Sequence, residues 1–284
     1  MSEYKKLKGR PKIKKIKAVG ENELKIIWTE VEGADKYAVL RRDEPDGEFV
    51  RIKWRKKTSF KDTVEPYKTY WYKISAFKKL EGKKKSKTKE SGTRAAIISD
   101  IEAVQNLSAE AKKKSITVTW DKDPKAVAYM VSRKNAYYSQ TLPIKRVKKP
   151  SFTDKDIVSG QVYKYCVQSI YKDGEKEKFG VFSKKVRGVC LDCGKILDYS
   201  TFGRRTEFSL RIVAGADGYI LERGESVDGE FIEVARTDSN LELSVRDKAP
   251  SHFRTYFYRV RSFKTVKDET VYSRASGCVT VKTK

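Results

Sequence analysis

Apolar and polar residues alternate with a period of two along most of this chain. In the run Leu24 to Trp28, Leu24, Ile26 and Trp28 fall on one side; Ile116, Val118 and Trp120 repeat the arrangement. Successive side chains of an extended strand point to opposite faces of a sheet, so this period predicts strands with one buried face. A third run sets Tyr70, Tyr72, Ile74 and Ala76 against Trp71, Lys73, Ser75 and Phe77. Turn signals lie between the runs, at Gly20-Glu21-Asn22, Pro45-Asp46-Gly47, Lys172-Asp173-Gly174 and Val227-Asp228-Gly229. Short alternating strands at about 8–12-residue spacing, roughly seven to a repeat, predict an all-β chain of antiparallel sandwiches.

The pattern recurs. Trp28–Tyr37 (WTEVEGADKY) aligns without gaps on Trp120–Tyr129 (WDKDPKAVAY) and on Leu210–Tyr219 (LRIVAGADGY). Paired tyrosines follow at Tyr70 and Tyr72, Tyr163 and Tyr165, and Tyr256 and Tyr258. Ahead of each pair stands a third anchor: Ser59 to Asp62, Ser151 to Asp154 and Ser244 to Asp247. Three anchors in one order at one period define three repeats of about 90 residues. The expected boundaries are a basic extension at 1–10 and repeats at 11–98, 99–190 and 191–284.

A Trp on the second strand, a Gly-Ala-Asp-x-Tyr entry to the third and a Tyr-x-Tyr opening the sixth resemble the fibronectin type III domain, in its bacterial form. The resemblance covers about Pro11 to Val281. It implies tandem seven-stranded sandwiches. It also implies that Tyr70, Tyr163 and Tyr256 are tyrosine corners, each hydroxyl bonded to backbone just upstream. Repeat three departs at Leu210, where the other repeats have Trp, and that puts its core packing in question.

One turn is written twice. Asp46-Gly47-Glu48-Phe49 returns as Asp228-Gly229-Glu230-Phe231, nine residues after the third-strand tyrosine in both outer repeats. Asp-Gly turns the chain there, and Phe49 and Phe231 are expected to open the next strand facing inward. Repeat two carries Tyr137, Tyr138 and Pro143 instead. That is either a tolerated loop change or an aromatic contact surface.

Catalytic chemistry finds little purchase. The one histidine, His252, sits in a loop without a Ser or Cys partner at motif spacing, and no glycine-rich phosphate loop, HExxH or nucleophile elbow occurs. The expectation is a non-enzymatic protein with no cofactor, no metal and no small-molecule substrate. Cys190 and Cys193 form a C-x-x-C near the start of repeat three, and Cys166 and Cys278 complete the set. Free thiols, a Cys190–Cys193 disulfide and half of a metal site are the open readings. Cys166 alternates out of phase with Tyr165 and Val167 and is expected to face outward.

Charge supplies the functional clue. The net charge is +25, made of +13 in residues 1–100, +10 in 101–190 and only +2 in 191–284. Residues 1–100 carry 22 Lys and 6 Arg, whereas 191–284 carry 6 Lys and 10 Arg. The cations cluster at Lys12, Lys14 and Lys15, at Arg51, Lys53, Arg55, Lys56 and Lys57 around Trp54, at Lys83, Lys84 and Lys85, and at Lys145, Arg146, Lys148 and Lys149. With Tyr137 and Tyr138 they form the candidate binding surface. A solvated face is the plain alternative, since lysine is a good solubility residue. The lopsided distribution favours docking on an anionic polymer or a protein assembly, with non-specific nucleic acid as a further candidate. Trp71, Phe257 and Phe263 are the outward aromatics expected to serve if a protein interface takes its place. No apolar run reaches membrane-spanning length, and the basic start lacks the apolar stretch of a secretory signal. These features suggest a virion accessory. A secreted or cell-wall adhesion protein trimmed of its signal, a nucleic-acid binder and a spacer of a carbohydrate-active enzyme remain the rivals.

Overall fold

The computed structural model describes residues 7–80, 85–112, 114–135 and 141–284, which form 24 strands and no helix. Repeat one holds β1 (Ile13–Ala18), β2 (Glu23–Trp28), β3 (Lys36–Arg42), β4 (Val50–Arg55), β5 (Ser59–Thr63), β6 (Tyr70–Lys79), β7 (Lys85–Lys87) and β8 (Arg94–Ala96). Repeat two holds β9 (Ser108–Lys112), β10 (Ser115–Thr119), β11 (Ala128–Lys134), β12 (Leu142–Val147), β13 (Ser151–Asp154), β14 (Val162–Asp173), β15 (Lys176–Phe179) and β16 (Val186–Val189). Repeat three holds β17 (Ile196–Phe202), β18 (Arg205–Leu210), β19 (Gly218–Gly224), β20 (Phe231–Thr237), β21 (Ser244–Lys248), β22 (Thr255–Val266), β23 (Glu269–Tyr272) and β24 (Val279–Lys282). Each repeat has one three-stranded and one five-stranded sheet. In repeat one the orders are β1-β2-β5 and β4-β3-β6-β7, with β8 also on β6, and the other two repeats copy both. The protein is thus three repeated β-sandwiches.

The expected seventh strand is present in two pieces. Between β7 and β8 the ladder on β6 is kept by side chains: Ala76 N donates to Thr88 Oγ1 at 3.0 Å and Ile74 N to Ser91 Oγ at 2.9 Å. The same substitution recurs where Val167 N meets Ser183 Oγ and where Val260 N meets Ser276 Oγ. A hydroxyl can stand in for a backbone carbonyl, so the strand breaks without orphaning the donors opposite it.

The chain divides into two compact units. One comprises Met1–Ser108, Thr119–Phe152 and Lys164–Val186; the other comprises Ala109–Val118, Thr153–Tyr163 and Arg187–Lys284. In the first, Leu24, Ile26 and Trp28 of β2 pack with Tyr37, Val39, Tyr72 and Ile74 of the facing sheet. Trp28 and Tyr37 meet edge to face at 5.7 Å, and Trp120 and Tyr129 of repeat two at 5.3 Å. The second unit fills the space of the missing Trp differently. Leu210 is buried, and Phe208, two residues earlier on the same face, lies 4.6 Å from the Tyr258 ring. Repeat one has the smaller Ile26 at that level, so volume moves along the strand rather than being lost.

The repeated anchors turn out to be polar clamps and latches. Asp62 on β5 accepts from Arg41 at 3.0 Å and from the Tyr72 hydroxyl at 2.7 Å, tying the two sheets together. Asp247 does the same with Arg223 at 2.6 Å and Tyr258 at 2.8 Å. Burial, then the adjacent carboxylate, pushes both phenols well above the ordinary tyrosine range. A second device was not expected. The third-strand tyrosine accepts the backbone N–H six residues upstream in every repeat: Tyr37 from Val31, Tyr129 from Asp123 and Tyr219 from Val213. The expected tyrosine corners form at Tyr70, which accepts from Glu65 N, and at Tyr163, which accepts from Val158 N. Tyr256 is a correction. It is buried, but no hydrogen bond to upstream backbone is formed among the described residues. Its loop is held by the chain after β24 instead: Arg254 N donates to Thr283 Oγ1, and Lys284 O lies 2.6 Å from His252 Nδ1.

Candidate cationic surface

The third and fourth strands of each repeat pair through a register shift at the same place: Val39/Leu40, Val131/Ser132 and Leu221/Glu222. The bulge sets which fourth-strand side chains turn to the outer face of the five-stranded sheet. In repeat one these include Arg51 and Trp54. The Trp54 ring meets Phe77 edge to face at 4.8 Å, with Lys36 Nζ at 4.2 Å and the Arg51 guanidinium at 4.8 Å. Trp54, Arg146 and Arg236 are register equivalents, paired with Ala38, Met130 and Ile220. Arg146 grips Glu177 through two bonds of 2.7 and 2.6 Å, which holds the guanidinium above its usual pKa, and Arg236 stacks on Phe263 at 4.1 Å. Trp54 is therefore a half-buried filler of the outer face already covered by its own cations, not a free aromatic.

The two phenylalanines of the repeated turn share this outer layer, which corrects the inward orientation expected of them. Phe49 is half-buried under Arg42 at 4.9 Å and Lys73 at 4.4 Å, and Phe231 under Arg259 at 3.8 Å. Cation–π contact lets an apolar ring sit outside the core beneath the aliphatic stems of charged residues. Trp71 and Phe263 are covered by the same layer. They are only 5% and 3% exposed, so neither is the outward contact residue expected, and Phe257 is half-buried. Cys166 lies on the face opposite Tyr165 and Val167, as its phase predicts. That face is closed, however: Cys166 is buried, and burial pushes its thiol up to about 11.

The basic clusters do not converge. β1, carrying Lys14 and Lys15 with Lys12 just before it, is the edge strand away from β5. Its neighbour across the sandwich is β8, where Arg94 donates to Lys14 O at 3.1 Å. β7, with Lys85, is on that side as well. Arg51, Lys53 and Arg55 are on β4, at the opposite edge, with Lys56 and Lys57 in the turn to β5. Lys145 and Arg146 are on β12, and Lys148 and Lys149 follow it. Lys83, Lys84, Tyr137 and Tyr138 lie outside the described residues. Exposed Lys12, Lys14, Lys15, Lys53, Lys56, Lys57, Lys85, Lys145, Lys148 and Lys149 make no ion pair among the described residues. Repeat three contrasts with this: Arg223, Arg236, Arg246, Arg259 and Arg261 all sit within 3.1 Å of a carboxylate oxygen.

No other chemistry gathers. Among the described residues no three His, Cys, Asp or Glu come together as metal ligands, and no helix is long and apolar enough to cross a membrane. The four cysteines are unpaired; Cys190 Sγ faces Lys112 O at 3.1 Å.

No protein-family model and no curated protein matches the chain. Among solved structures it is similar to the FN1–FN3 domains of chicken contactin (CNTN1), at 15% identity over 97% of this chain and 98% of that one, with a TM-score of 0.33. It is also similar to a two-domain fibronectin type III segment of chicken tenascin, at 14% identity over 64% of this chain and 100% of that one, with a TM-score of 0.40. Superpositions this loose carry no weight by themselves. The strand order, the split seventh strand and the tyrosine corners define the class: a tandem of three fibronectin type III-like sandwiches.

Proposed function

We propose that this protein is a non-enzymatic structural and adhesive module. It docks through the solvent-facing lysines of repeats one and two on an anionic polymer or an acidic protein assembly, as an accessory of a virion or a comparable assembly. One observation carries the reading: ten clustered lysines of those repeats stand exposed without carboxylate partners among the described residues, whereas repeat three, with a net charge of only +2, pairs five of its ten arginines with carboxylates. Because the clusters occupy separate edges, contact is distributed and electrostatic rather than confined to one pocket. Such binding proceeds by counterion release, weakens steeply with salt and ignores base sequence.

The test titrates the full chain against a single-stranded oligonucleotide and a polyglutamate in rising salt. Lys56→Gln/Lys57→Gln/Lys148→Gln/Lys149→Gln should lower both affinity and salt slope. The matched change Arg205→Gln/Arg211→Gln/Lys267→Gln/Lys282→Gln in repeat three should do little. Equal losses from the two sets would sink the assignment to repeats one and two.

A further inference from the structure

One row of side chains on the three-stranded sheet can be followed from repeat to repeat. On β2, Leu24, Ile26 and Trp28 point into the core, so Glu23, Lys25 and Ile27 face outward. Lys25 stands opposite Lys17 on β1 and opposite Lys61 on β5, which sets three lysines abreast across the sheet. Lys15, paired with Ile27, adds a fourth cation one step along the same face. Lys15, Lys17 and Lys61 are exposed and Lys25 is half-buried. Neighbouring strands lie about 4.8 Å apart and same-face residues of one strand roughly 7 Å apart, so the four lysines are rooted in a patch of about 10 by 7 Å. Glu23, 2.9 Å from Lys61 Nζ, is the only carboxylate on the outward side of these strands, and Lys15, Lys17 and Lys25 make no ion pair among the described residues.

The other repeats fill the same positions with partners. Trp28, Trp120 and Leu210 are equivalent, as are Asp62, Asp154 and Asp247. Lys25 and Lys61 therefore correspond to Thr117 and Thr153 in repeat two and to Glu207 and Arg246 in repeat three. The Thr117 and Thr153 hydroxyls share a hydrogen bond of 3.1 Å. Glu207 accepts from Arg246 at 3.1 Å, and Ser200 stands where Lys17 does. Side chains directly opposite each other on adjacent strands interact, and like charges there are destabilising. Repeat one thus carries a repulsive row where the other two carry an attractive one. The face is open in the middle repeat as well, where Thr119 and Thr153 are exposed. A repulsion that folding does not need is relieved when an anion binds.

We propose that the outer face of the three-stranded sheet of repeat one is a polyanion site whose occupant is a bare chain of linked phosphates, laid along the row Lys17–Lys25–Lys61. This names a site and a ligand within the docking function above and rests on that reading. Lysine presents a compact charge without the planar fork that arginine offers to a single phosphate or carboxylate, so the row reads charge density rather than the shape of one group. The face carries no aromatic ring on which bases could stack, which disfavours a single nucleic acid strand. An extended acidic peptide offers carboxylates to one side only every 7 Å or roughly so, wider than the step between these lysines. Linked phosphates carry a charge on every unit with no side chain between, and can supply an anion to each lysine.

The experiment titrates the full chain with short inorganic polyphosphate by calorimetry at low salt, with a thymidine oligonucleotide and polyglutamate of equal charge as rivals. Lys25→Glu rebuilds in repeat one the pairing that Glu207 makes with Arg246 in repeat three. It should weaken polyphosphate binding about tenfold. It should also raise the melting temperature, followed by tryptophan fluorescence, because attraction replaces repulsion. Lys53→Glu, the same change of charge on β4 of the other sheet, should weaken binding no more than about threefold. Glu23→Gln releases Lys61 and should tighten it about threefold. Equal losses from Lys25→Glu and Lys53→Glu, a Lys25→Glu chain that melts lower, or tighter binding of either rival polymer would each overturn the proposal. An unmodified chain that binds none of the three polymers would remove the docking function as well, whereas polyphosphate binding that survives Lys25→Glu removes this site alone.

Discussion

Repeats one and three are built on one frame and dressed differently. Both clamp their sheets through an Arg, an Asp and a Tyr, at Arg41–Asp62–Tyr72 and Arg223–Asp247–Tyr258, and both latch the third-strand tyrosine to backbone. Both lay cations over the phenylalanine of the Asp-Gly-Glu-Phe turn. Yet residues 1–100 carry a net +13 and residues 191–284 only +2. What is shared lies inside or just beneath the surface, and what differs stands in water. Exposed charge contributes little to folding and so is free to follow binding. Buried polar groups are not free to change, because an unpaired one costs several kcal/mol.

The comparison breaks most sharply at the clamps. Asp247→Ala leaves Arg223 and the Tyr258 phenol without their acceptor in a largely buried site and should cost about 3–5 kcal/mol; Asp62→Ala orphans the Tyr72 phenol but leaves Arg41 on Asp43, and should fall at the lower end of that range. Urea unfolding followed by circular dichroism reads the first, and tryptophan fluorescence the second. Effects that differ by more than twofold would show that the two frames are not equivalent. The clamps also set an alkaline limit. A phenol whose pKa is raised on folding lends stability that is fully present below its unfolded pKa of about 10. That stability is lost as pH climbs from there towards the folded value. Tyr72→Phe should flatten the fall in stability above pH 10, which melting temperatures across that range would register.

A smaller effect is expected where the repeats meet. Gly160→Ala strains a left-handed residue and drives a Cβ into Gly215, and it should cost more than about 1 kcal/mol. Tyr219→Phe removes one latch and should cost about 1 kcal/mol. The same change at Tyr37 should match it, which a parallel pair of denaturation curves would check. At the small end, neutralising Lys56 and Lys57 should leave the midpoint of unfolding within about 0.5 kcal/mol of its original value.

The residues that carry repetition were legible because they recur: Trp28 with Trp120, Tyr70 with Tyr163, and Asp62 with Asp247. Their roles were harder to read. The Asp anchors mark repeats in the sequence, but only folding brings Asp62 from 21 residues away to Arg41. The basic clusters were legible as composition and not as a surface, since adjacency across sheets is invisible along the chain. Lys14 and Lys56 therefore read as parts of one face and lie on opposite edges.

By itself the sequence determined the inner faces. A strand's side chains alternate with period two whatever its neighbours, so Leu24, Ile26 and Trp28 had to point one way and did. Only the tertiary structure decided what becomes of the other face. Whether Trp71, Phe49 or Cys166 meets water depends on which side chains arrive from neighbouring strands and on where the bulge turns them. Those are non-local contacts, and no period encodes them.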